Sequence, residues 1–153
     1  MTEQAAETNP ALGHRQVDLT RIGEGRYKAT NARGGVLPIG SGGDPDFSPV
    51  ELLLAGLAGC SAIDVDLITG KRAEAVTFDV RAEGVKVRDE QGNHLTDLKV
   101  TFDIRFPEGE EGDAARAVVP RSLEQTRDRL CSVGRTVALP SPVDYDQGDL
   151  SRP

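Results

Sequence analysis

The stretch at 48–69, SPVELLLAGLAGCSAIDVDLIT, constrains this chain more than any other. It is apolar over most of its length, has no interior proline, and is long enough for about six helical turns. Ser48 suits the N-cap and Pro49 the first helical position. Glu51 stands three residues after Ser48, the spacing of a capping box. Gly70 stops the helix, with Lys71 and Arg72 just beyond. A helix this apolar must be covered on most of its sides, and Glu51, Asp64 and Asp66 argue against lipid as the cover. Small residues (Ala55, Gly56, Ala58, Gly59, Ser61, Ala62) let another backbone come close. Cys60 lies among them, and its plainest reading is one more small buried side chain.

Short strands precede the helix. Val17 and Leu19 alternate with polar residues, and turns are predicted at 23–25 and 31–35. Val36, Leu37 and Ile39 follow, giving a meander of two or three strands. The segment SGGDPDFS at 41–48 is a loop. After the helix, Val76, Phe78 and Val80 alternate, and Val85 and Val87 resume past Gly84. A turn at 90–93 leads to Leu98, Val100, Phe102, Ile104 and Phe106, which alternate with Lys99, Thr101, Asp103 and Arg105. One face of that strand belongs in a core and the other in water, so the pair reads as an antiparallel hairpin. A helix is expected at 113–119, ended or kinked by Pro120. Ser122 and Gln125 offer a second capping box, opening a helix that closes near Cys131. A short edge strand is expected near 143–146. The order describes an α+β fold rather than a regular βαβ alternation.

The 153 residues suit one domain, assigned to 14–146, with polar tails at 1–13 and 147–153. A net charge of −7 argues against binding nucleic acid or anionic lipid. Aromatic residues are 4% and Trp is absent, which leaves no stacking platform for single strands. The polar, acidic start does not resemble a secretory leader, so the expected location is the cytoplasm. Thiols there stay reduced, and a disulfide would be transient and chemical. His14 and His94 have no partner at ligand spacing, and Asp64 and Asp66, two apart on a helix, face different ways, so no metal site is proposed. The glycines at 23, 25, 34 and 35 precede no helix at phosphate-loop distance.

The segment at 48–60, SPVELLLAGLAGC, resembles the central-helix motif of the osmotically inducible protein C/organic hydroperoxide resistance family. RLCSV at 129–133 resembles that family's second-cysteine motif, with Ser132 where many members carry proline. The resemblance spans roughly 14–146 and implies a thiol peroxidase acting on organic hydroperoxides, with Cys60 as the attacking thiolate and Cys131 as the resolving thiol. It implies that Glu51 is the acidic residue preceding the cysteine helix. It also implies an arginine on an early strand ahead of the segment at 35–37, best matched by Arg26, with Arg33 as runner-up. The fold implied is a curved antiparallel sheet wrapped around a long buried central helix, in an intertwined dimer.

The chemistry suits these residue types. A free thiol ionises near pH 8.5, and only the thiolate attacks peroxide. An arginine beside Cys60 would favour that form and steady the departing alkoxide, and a carboxylate would orient the guanidinium. Cys131 would then condense with the sulfenic acid at Cys60 to a disulfide. Glu51 and Cys60 lie nine residues apart on one helix, facing opposite sides with a rise of about 13.5 Å. Either Arg26 bridges them or Glu51 serves the site of a second subunit.

The expected protein is therefore a homodimeric hydroperoxide reductase needing no cofactor. Its pocket is expected to be lined by Phe47, Leu53 and Leu57, and the resemblance implies a dithiol as reductant, such as a lipoyl-bearing protein. Two other readings use the same residues: a non-enzymatic dimer of this fold that binds a small apolar ligand, and a redox sensor built on the cysteine pair.

Overall fold

The computed structural model describes residues 12–151. The tails assigned to 1–13 and 147–153 therefore lie partly outside the described residues. The chain divides into two compact units, one ending at Leu52 and the other beginning at Leu53.

The first unit is an antiparallel meander in the order β1 (Asp18–Gly23), β2 (Arg26–Thr30) and β3 (Val36–Ile39). The two turns fall where Gly25 and Gly34 take positive φ, 64° and 89°, a conformation costly for residues with a Cβ. At the second turn, Asn31 Oδ1 accepts hydrogen bonds from the backbone N–H groups of Arg33 (3.0 Å) and Gly35 (2.9 Å). Only Ala29 and Ile39 of this sheet are buried. Past the loop, Ser48 Oγ accepts from the Glu51 N–H at 3.3 Å, and Glu51 Oε2 accepts from the Ser48 N–H at 3.1 Å. The capping box thus closes reciprocally and starts α1 (Pro49–Thr69).

In the second unit, α1 buries Leu57, Ser61, Val65 and Thr69, one residue per turn along a single stripe. Leu53, Ile63 and Leu67, on its other sides, are 42%, 63% and 65% exposed in the single chain. The second unit by itself supplies neighbours along that one stripe. There is no single curved sheet; β4 (Thr77–Asp89) and β5 (Gly92–Arg105) form a separate two-stranded antiparallel sheet. Phe78 and Phe102 meet edge-on across it, with ring centroids 6.2 Å apart. The ladder slips between Glu83 and Val85, where Asp97 takes φ 53°. A Cβ on Gly84 would come within 2.8 Å of Leu98 Cδ2, so the glycine permits the irregularity. The slip leaves Val85 exposed rather than in line with the core face.

Ala73, Phe106 and Ala115 form a small core, with Ile104 and Val119 packed against it. The helix expected at 113–119 is longer, α2 (Glu110–Gln125), and runs through Pro120. Pro120 is exposed, on the solvent side of the helix, where a missing hydrogen bond is tolerated best. Ser122 opens no second helix. Buried inside α2, it donates its hydroxyl hydrogen bond back to Val118 O at 2.7 Å. One wide π-helical turn, Thr126–Leu130, follows, and then α3 (Ser132–Ala138). The edge strand expected near 143–146 is absent among the described residues; Pro140 and Pro142 deny that segment ladder donors.

Candidate functional site

Two helices of the second unit bring the cysteines together. Cys60 lies in the middle of α1, and Cys131 caps the N-terminus of α3 directly after the π-helical turn. Cys60 Sγ, Cys131 Sγ and a carboxylate oxygen of Asp64 all lie within 4.8 Å of one another. Both thiols are free, Cys60 half-buried and Cys131 buried. Cys131 Sγ accepts from the Gly134 N–H at 3.2 Å and from the Ser61 hydroxyl at 3.4 Å. A Cβ on Gly134 would stand 3.3 Å from that sulfur, so the small residue lets α3 close on it.

Burial pushes the Cys60 thiol above its ordinary pKa, and the neighbouring Cys131 adds to the rise; backbone N–H groups of Val133 and Ser132 pull the other way without reversing it. These effects favour the protonated form of Cys60 within this unit. Burial also raises the pKa of Asp64. Its Oδ2 is buried with no hydrogen-bond partner among the described residues, a costly state for a charged carboxylate.

Sequence reasoning set Asp64 aside because it faces away from Asp66. The informative spacing was to Cys60, four residues earlier and so on the same helix face. Ser61 was read only as a small residue, and its hydroxyl meets the second sulfur. Two thiols and one carboxyl at this spacing are also a set of three groups that could hold a metal ion, one fewer than a closed structural zinc site uses.

Beside Cys131 lies a cavity of about 630 Å³, lined mainly by apolar groups of Leu57, Val100, Phe102 and Leu123, with Ser61 and Cys131 in the wall. Arg127 and Arg135 also belong to the lining. Of the residues expected to line a pocket, Leu57 is among those around this cavity. Leu53 lies one turn before the lining begins and is exposed, and Phe47, in the first unit, is exposed at 51% beside its backbone bridge to Ile39.

The remaining expected site residues, Arg26, Arg33 and Glu51, belong to the first unit. Arg26 pairs with Asp46, not with Glu51. The Glu51 carboxylate is taken up by the capping box. Arg33 stays in the turn, exposed.

Residues 41–146 match the family model described as OsmC-like protein, which covers the whole of α1, the hairpin, α2 and α3. The chain belongs to the OsmC-like family. Among curated proteins of similar sequence is Protein YhfA of Escherichia coli K12, 31% identical over 99 residues, covering 64% of this chain and 69% of that protein. A hypothetical protein from Aquifex aeolicus VF5 superposes with a TM-score of 0.66 at 19% identity, covering 83% of this chain and 89% of that one. An OsmC-like protein from Mycoplasma pneumoniae gives a TM-score of 0.66 at 14% identity, covering 82% and 88%. These two likenesses establish the OsmC-like fold. The motif around Cys60 and the one around Cys131 both fall inside the matched segment.

Proposed function

We propose that this OsmC-like protein reduces organic hydroperoxides, with Cys60 attacking and Cys131 resolving. The observation that carries the reading is the meeting of two free thiols from distant parts of the chain, beside an apolar cavity. In the first step the Cys60 thiolate bonds to the peroxide oxygen that bears hydrogen. The O–O bond breaks and an alcohol leaves, with sulfur oxidised to the sulfenic acid. In the second step Cys131 attacks the Cys60 sulfur, forming the disulfide and releasing water. An external dithiol, such as a lipoyl-bearing protein, restores both thiols by exchange. A cavity of this size and lining favours a peroxide with a hydrocarbon body over hydrogen peroxide.

Free thiols are counted before and after one equivalent of cumene hydroperoxide. The expected result is loss of both thiols per chain with formation of cumyl alcohol; in Cys131→Ser, a sulfenic acid that dimedone traps is expected instead. Unchanged thiols in the unmodified chain would refute the reading. Should an apolar compound then be found bound in the cavity, the ligand-binding reading takes its place.

A further inference from the structure

Asp64 poses a problem that the two-cysteine scheme does not solve. Its carboxyl stands one helical turn from Cys60, within 4.8 Å of both sulfurs, with one oxygen buried and, among the described residues, unpartnered. A bystander carboxylate in that place would repel each thiolate in turn. A carboxylate that takes the proton from each thiol removes the repulsion, because the charge moves to sulfur as the carboxyl becomes neutral. A separation of this order is closed by a small side-chain adjustment or one intervening water.

We propose that Asp64 is the acid–base residue of this site, receiving one proton from each thiol and handing it to each departing oxygen. This inference rests on the hydroperoxidase reading. In the first half, Asp64 takes the Cys60 proton, the thiolate attacks, and the alkoxide released by O–O cleavage takes that proton to leave as alcohol. The carboxylate is restored beside a sulfenic acid. In the second half, Asp64 takes the Cys131 proton and the new thiolate displaces hydroxide from the Cys60 sulfur. Hydroxide takes the proton and leaves as water. Two thiols and one hydroperoxide become one disulfide, one alcohol and one water, and Asp64 ends as it began. Ser61, donating to the Cys131 sulfur, steadies the second thiolate.

Among the histidines, cysteines and acidic residues described, the two thiols are the groups gathered at Asp64; Lys99, Glu124, Arg127 and Arg135 line the cavity beside Cys131. Activity should therefore need Asp64 ionised and Cys60 protonated, giving a bell-shaped dependence of kcat/KM on pH. The test follows cumene hydroperoxide reduction, with dithiothreitol as reductant, by the unmodified chain, Asp64→Asn and Asp64→Glu. Asp64→Asn should lose about 10²-fold at neutral pH. Its profile should rise steadily with pH as Cys60 ionises unaided, and Asp64→Glu should recover part of the loss together with the bell. A wild-type rate and an unchanged bell in Asp64→Asn would overturn the proposal.

A second measurement needs no peroxide. In the Cys131→Ser background, the pH midpoint of Cys60 alkylation by iodoacetamide should fall by about one unit when Asp64 becomes Asn, since a neighbouring anion is removed. An unmoved midpoint overturns the proposal whatever the peroxide assay shows. A midpoint that falls in a chain that spares hydroperoxide supports the electrostatic pairing of Asp64 with Cys60 on which the proposal stands and refutes the hydroperoxidase reading alone.

Discussion

Asp64 couples chemistry to stability at the scale of one residue. Burial raises its pKa in the folded chain, so the folded state holds the proton more tightly than the unfolded state does. Below the unfolded value both states are protonated and burial of the group carries no charge penalty. As pH rises through the folded value the carboxyl ionises in place, and that stability is lost. Asp64→Asn keeps the shape and removes the charge, so it should melt higher than the unmodified chain at neutral pH. The difference should shrink towards zero as pH falls below the ordinary carboxylate range, which thermal melts at several pH values would read directly. Single residues were unevenly legible in the sequence. Cys60 and Cys131 stood out by rarity and motif. Asp64 did not, because its meaning depends on the second sulfur that α3 brings to it from far along the chain. Arg26 was legible as a strand arginine, but its partner was not: Asp46 and Glu51 are both acidic residues near the end of the same loop, and the capping box claims the latter.

At the scale of elements, local chemistry was read well and burial was not. The capping box, the stop at Gly70 and the hairpin are short-range features, and they form as expected. Proline gave a false boundary. Pro120 faces solvent, so α2 keeps its remaining hydrogen bonds and continues. Nothing in the sequence announces the single wide turn after it, which is a packing solution rather than a propensity. The entry to α2 is tighter than any other glycine position outside the loops. A Cβ on Gly112 would fall onto the carbonyl oxygen of Pro107, a backbone atom that cannot swing aside. Gly112→Ala should therefore destabilise the fold by about 3 kcal/mol, measured as a lower midpoint in urea with an unchanged slope.

At the scale of the whole molecule, each of the two units leaves large apolar side chains exposed. Ile63 and Leu67 on α1 are more than 60% exposed, and Leu19, Ile22 and Val36 of the meander more than 50%. The sequence calls for a helix with cover on most sides, and the buried residues of α1 form one stripe only. We expect a second copy to supply the rest, so that sedimentation gives twice the chain mass of 16.3 kDa. Ile63→Arg, which places a charge on that face, should shift the species towards one chain.

The sulfurs sit about 70 residues apart along the chain, so joining them closes a long loop and removes much of the freedom of the unfolded state, worth about 4 kcal/mol. Oxidised protein should melt several degrees above reduced protein, and each catalytic cycle would pass through a stiffer and then a looser molecule. Heat resistance would then report the redox poise of its surroundings.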